Sequence, residues 1–204
     1  MNNLHKALGD IRSIRRDMAL TTQFRGYGPA TLAATGIVAL LVAVAQDIFL
    51  PDPANHMRAY LRIWAATAIF SAALIGAQMY TRSRRIHSGL SDEMIRMAVE
   101  QFLPSVVAGS FLTIVLARYV PDAAWLLPGL WQIVFSIGIS SSCRFLPRPM
   151  LAAGAWYLIT GLFSISLGDA RALSPWVMGI AFGIGQLLVA GILLVATPET
   201  DDEA

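Results

Sequence analysis

The chain has 204 residues, of which 56% are hydrophobic and 14% charged, and its formal net charge is +2. A water-soluble domain carries charge on about a quarter of its residues. Here the charges sit in a few short stretches between long apolar runs, which leaves no room for a separate soluble domain or a nucleic-acid-binding fold. Six spans of about 20 apolar residues each would take up some 120 positions. The sequence therefore predicts an all-α, polytopic membrane bundle of six transmembrane helices preceded by an amphipathic helix.

Residues 1–28 form the first unit, a cytoplasmic amphipathic helix and turn. Leu4, Leu8, Ile11, Ile14 and Met18 recur at spacings of three and four, which puts them on one helical face. Lys6, Asp10, Arg12, Arg16 and Asp17 fall largely off that stripe. Such a helix can lie in the membrane interface with its arginines toward anionic headgroups. It can also dock on the bundle or on a cytoplasmic protein partner. Leu4, Leu8, Ile11, Arg12, Ile14, Arg16 and Met18 are its candidate docking residues. The apolar run starts only near Pro29, after Asp10 and Asp17, which does not fit a signal peptide.

The second unit, residues 29–197, holds the spans. The first is predicted over Ala30–Leu50, broken by Pro51, Asp52, Pro53 and Asn55, and the second over Tyr60–Tyr80, stopped by Arg82, Arg84 and Arg85. Ser91 is the expected N-cap of a third helix, with Asp92 and Glu93 at its positive end. That helix enters the bilayer near Gln101 and leaves at Arg118 and Tyr119. The remaining spans are predicted over Ala123–Ser140, Met150–Leu167 and Pro175–Ala196. Residues 198–204 make an acidic cytoplasmic tail with Glu199, Asp201, Asp202 and Glu203.

Orientation follows from the basic residues. With the N-terminus inside, Lys6, Arg12, Arg15, Arg16, Arg25, Arg82, Arg84, Arg85, Arg96, Arg144 and Arg148 are cytoplasmic, and only Arg58, Arg62, Arg118 and Arg171 are outside. This is a positive-inside distribution with both termini in the cytoplasm. Tyr60, Trp64, Tyr119, Trp125 and Trp176 fall near the outer interface, where an aromatic belt is expected.

Chemistry-bearing patterns are sparse. Mid-span ionisable residues, which mark ion pathways and proton relays, are essentially missing. His5, His56 and His87 are far apart and form no metal-ligand spacing, so no cofactor or metal is expected. The lone Cys143 can form no intrachain disulfide. Gly168-Asp169-Ala170-Arg171 resembles part of the motif of membrane phosphatidyl alcohol transferases, yet the further aspartates that chemistry needs are missing. Ser140-Ser141-Ser142 has no neighbouring base to activate a hydroxyl. Catalysis is not expected.

Two patterns concern packing and polarity. Gly154, Gly161 and Gly168, seven apart, line one face of the fifth span, and Gly179 and Gly183 form a GxxxG in the sixth. Small residues let helices approach closely in lipid. Packing within the bundle is the expected use, and a homodimer through the sixth span is the alternative. Gln132, Ser136 and Gln186 are the candidate lining of a polar cavity; helix-to-helix hydrogen bonding is the plainer reading.

The string Leu8-Gly9-Asp10-Ile11-Arg12-Ser13-Ile14-Arg15-Arg16-Asp17-Met18, then Phe24 and a Gly/Pro turn, resembles the opening of a group of uncharacterised bacterial membrane proteins with an LxDIRxIRxxM helix. Leu127 through Leu194 is similar to that group in layout. The resemblance implies a six-helix inner-membrane architecture, without an activity or catalytic residue. It also implies a histidine at Gln186 and a tyrosine at Val189, where this chain departs. The expected function is non-enzymatic binding or regulation in the bilayer through the N-terminal helix. A small transporter or channel for a neutral or weakly polar solute is the alternative.

Overall fold

A computed structural model of the chain describes residues 28–85, 89–143 and 149–196. Among these residues there are six α-helices, two short 3-10 helices and no strand. The helices are α1 (Pro29–Phe49), α2 (Met57–Arg85), α3 (Gly89–Tyr119), α4 (Leu127–Ser142), α5 (Met150–Ser166) and α6 (Pro175–Ala196). The 3-10 helices are Pro121–Leu126, before α4, and Asp169–Leu173, before α6. The amphipathic segment with its docking residues Leu4 to Met18, Arg144 and Arg148, and the acidic tail lie outside the described residues.

The helix ends have local causes. Gly28 caps α1 and Pro29 opens it, where a missing N–H costs nothing. Beyond α1, the Asp52 carboxylate accepts from the Asn55 backbone N–H at 3.3 Å and from Asn55 Nδ2 at 2.6 Å, which organises the turn into α2. At the end of α5, Gly168 takes a φ of 64°, a left-handed value that suits glycine and stops the helix. α6 has the bounds expected from sequence.

Several boundaries differ from expectation. α2 starts at Met57 rather than Tyr60 and continues through Arg82 and Arg84 to Arg85, so these arginines do not stop the helix. The segment predicted as a span from Ala123 begins as a 3-10 helix, and its α-helical part starts only at Leu127. Pro121 and Pro128 explain this, because neither can donate to a preceding carbonyl and each restricts the residue before it. Ser91 lies inside α3, which already runs from Gly89, so it is not the N-cap.

Among the described residues, five stretches are long and apolar enough to cross a membrane: Pro29–Phe49, Met57–Thr81, Glu100–Tyr119, Pro121–Ser142 and Pro175–Val195. α5 is also apolar but has 17 residues. At 1.5 Å per residue it reaches about 25 Å, slightly less than the roughly 30 Å of hydrocarbon.

Packing follows residue size. α1 lies most extensively against α6, α4 lies against α5, and α3 rests mainly on α4. α2 touches α1 and barely meets α3. On α1 the buried positions include Thr35, Gly36, Ala39 and Ala43, while Ile37, Leu41, Val44 and Ile48 point outward. α5 repeats this, burying Ala153, Gly154 and Gly161 and exposing Leu151, Ile159, Leu162 and Phe163. Met150 and Tyr157 of α5 are buried as well, so the interior also holds large side chains; it is the many large apolar residues facing outward that depart from a water-soluble bundle.

Candidate functional site

The glycines account for the two tight helix pairs. A Cβ on Gly161 would lie 2.8 Å from the Gly129 carbonyl oxygen, and one on Gly129 would lie 2.7 Å from that of Gly161, so α4 and α5 meet backbone to backbone. Gly154 faces Ser136 and Ser140 on α4. Gly179 faces Ala43, and Gly183 faces Leu40, so the GxxxG face of α6 is covered by α1. Gly168 does not join the stripe. It lies past the end of α5 in a left-handed turn, with nothing within 4 Å of an added Cβ.

The three cavity candidates go to different places. Ser136 Oγ donates to the Gly154 carbonyl at 2.7 Å, which uses it as a tie between α4 and α5. Gln132, one turn earlier, is wholly buried; its Nε2 donates to the Val177 carbonyl of α6 at 3.4 Å and lies 3.8 Å from Met178 Sδ. Gln186 is eight residues farther along α6 than Met178, about 12 Å at helical rise, and its Cβ packs toward Gly36 of α1. Between these two levels lies an aromatic cluster from four helices. Phe135 of α4 contacts Phe102 of α3, Tyr157 of α5 and Phe182 of α6, with ring centroids 5.2, 4.8 and 5.4 Å away. Gln132 and Gln186 are therefore not brought together.

Gln132 instead belongs to a polar layer at the end of the bundle that carries the Phe49–Met57 turn. A compact core there joins Ala39 and Ala43 of α1, Tyr60, Leu61 and Trp64 of α2, Leu127 of α4, Leu173 at the end of the 3-10 helix before α6, and Met178 in the first turn of α6. Gln46 lies one turn beyond Ala43 on the same face of α1 and is 2% exposed. Tyr60 is 0% and Trp64 3% exposed. Ser164 of α5, one turn from the Gly161 that abuts Gln132, is 0% exposed. Among the described residues, Gln46 Nε2 and Oε1, Tyr60 Oη, Trp64 Nε1, Gln132 Oε1 and Ser164 Oγ find no hydrogen-bond partner.

The burial of Tyr60 and Trp64 corrects their expected place in an exposed aromatic belt; Tyr119 and Trp176 do face outward. The cause is the α1 surface opposite. Ala39 and Ala43 leave room that two large rings, one helical turn apart, fill from α2. Position near a span's end suited either placement, and only the small residues of another helix select the buried one.

The layer carries no charge. Asp47, Arg58, Arg62 and Arg118 are exposed at helix ends, and among the described residues no group of three or more His, Cys, Asp or Glu could hold a metal ion. Ser141 and Ser142 Oγ donate back to the Ile137 and Gly138 carbonyls at 2.8 and 3.0 Å, so neither is poised as a nucleophile. Asp169 and Arg171 face each other across an exposed turn, at 4.0 Å. What the layer offers is a set of neutral donors and acceptors. Gln132 and Ser164 are legible in the sequence as polar residues within spans, and Tyr60 and Trp64 as aromatics near a span's end; Gln46 sits so near a span's end that it reads as interfacial. Comparison with known proteins finds no matching family model, no matching curated protein and no matching solved structure.

Proposed function

We propose that this chain is an integral protein of a bacterial cytoplasmic membrane that crosses it six times, with both termini in the cytoplasm, and acts by binding rather than by conduction or catalysis. The many large apolar residues facing outward support the membrane setting, and the eleven-to-four division of basic residues supports the orientation. α5 is short for a span, but tilted neighbours and local thinning accommodate a few ångströms at modest cost. In this reading the Phe49–Met57 end faces outward and the N-terminal helix lies on the cytoplasmic side. There Leu4, Leu8, Ile11, Ile14 and Met18 meet the bundle or a protein partner, with lipid headgroups assisting through Arg12 and Arg16.

The observation that carries binding over transport is the aromatic cluster of Phe102, Phe135, Tyr157 and Phe182. It occupies the middle of the bundle between the two glutamines that a polar pathway would have to connect. The helix pairs on either side are sealed by glycine contacts. Reconstituted full-length protein should pass neither glycerol nor urea faster than protein-free liposomes in stopped-flow swelling. Saturable flux of either solute would establish transport and defeat this reading. Topology reporters at Ala54, Ser88, Asp122, Pro147, Asp169 and Ala204 should alternate in sign beginning outside at Ala54, and an outside signal at Ala204 would remove the six-span arrangement.

A further inference from the structure

We infer that the polar layer formed by Gln46, Tyr60, Trp64, Gln132 and Ser164 is a binding site for an uncharged molecule carrying both a hydroxyl or amide donor and a carbonyl acceptor. The inference rests on the binding reading above and gives its ligand class. Each of these side chains is at least 97% buried, and together they come from four helices. The described protein groups satisfy only Gln132 Nε2 among their side-chain donors and acceptors. A buried polar group left without a partner is costly, and the side chains of native interiors are overwhelmingly paired. One such atom could be an accident of packing. Gln101 Oε1, Tyr157 Oη and Gln186 Oε1 are also unpartnered among the described residues, but six of the nine such atoms belong to side chains in the helix halves nearest the Phe49–Met57 turn.

The chemistry of the partner follows from the chemistry of the set. Trp64 Nε1 and Gln46 Nε2 can only donate, Gln46 Oε1 and Gln132 Oε1 can only accept, and the Tyr60 and Ser164 hydroxyls do either. A molecule that answers this set must itself both accept and donate. It must also be neutral, because the layer has no charged side chain and a buried ion without a counter-charge is strongly disfavoured. Gln46 is three residues from the end of α1, about 4.5 Å at helical rise. That depth is reached equally by the glycerol and ester region of a neutral lipid and by a small solute entering between the turns.

The test uses full-length protein in nanodiscs, with dioleoylglycerol in the bilayer as the membrane-borne probe and acetamide in the buffer as the soluble one. One of the two should raise the melting temperature, and which one does so identifies the source. Gln46→Leu should abolish that shift and, in probe-free nanodiscs, raise the melting temperature by about 2–4 °C, the shift expected per kcal/mol for a chain of this size. Gln132→Met should abolish the shift independently, and Ser141→Ala is the unaffected control. No shift from either probe overturns the inference, and so does a shift that survives both glutamine replacements. A Gln46→Leu protein less stable than the parent also overturns it, since that side chain would then be serving the fold. None of these results bears on solute flux, so the ligand class can fail while the binding reading stands, and flux can defeat that reading independently.

Discussion

A Cβ placed on Gly36 would come within 2.8 Å of the carbonyl oxygen of Gly183, so α1 and α6 touch through their backbones. Any side chain at Gly36 must push the two helices apart, and Gln186 Cβ, 3.1 Å away, closes the sideways escape. Gly36→Val should therefore destabilise the protein by about 1–3 kcal/mol, the usual cost of overpacking. Gly76→Ala, where nothing lies within 4 Å, should leave thermal unfolding in detergent unchanged or slightly raised. Equal losses from both would show that α1 and α6 are not held this closely.

The 2.7 Å bond from Ser136 Oγ to the Gly154 carbonyl ties α4 to α5. Its loss in Ser136→Ala should cost about 0.6 kcal/mol, as interhelical hydrogen bonds in membranes average, and less than about 2 kcal/mol. Reversible unfolding in mixed micelles would measure it. Solute permeability of reconstituted liposomes should not change, which separates a packing role from the lining of a pathway.

Cys143, just past α4, is half-buried, and burial pushes its thiol above the ordinary range. The folded state therefore favours the neutral thiol. As pH rises through the ordinary thiol range the unfolded chain ionises first, so any contribution of this group to stability falls with increasing pH. Since the thiolate is the nucleophile, maleimide labelling at pH 7.5 should be slower for folded protein than for denatured protein, and should speed up as the pH is raised. An impermeant maleimide should reach Cys143 in inside-out vesicles and not in right-side-out ones.

In the amphipathic helix proposed for the N-terminal residues, the apolar stripe needs cover, because a helix this short is marginal alone in water. Ile11→Glu and Ile14→Glu should speed amide exchange across residues 3–20, and Arg12→Gln and Arg16→Gln should do so less. A reversed order would make anionic lipid, at about 1 kcal/mol per basic residue, the principal cover. A pull-down from native membranes with and without residues Met1 to Thr22 would identify a protein partner.

Read alone, the sequence determined the helical class and most helix ends to within about a turn. Pro29 and the Pro51–Pro53 break act within a few residues of themselves, through φ restriction and missing donors, so their effects can be read locally; Gly168 was assigned to the packing stripe, and only the structure places it in a left-handed turn. The glycine spacings also carried over, because seven- and four-residue intervals keep Gly154 with Gly161 and Gly179 with Gly183 on one face whatever the partner. Tertiary structure decided which partner that was: α4 for the first pair and α1 for the second. It alone separated Gln132 from Gln186, since helical periodicity places a residue around its own axis and says nothing of which neighbour or level it meets. It also turned Tyr60 and Trp64 inward. In lipid both faces of a helix can be apolar, so hydrophobicity does not distinguish inside from outside. The steric fit of large rings against Ala39 and Ala43, some 20 residues away in sequence, does.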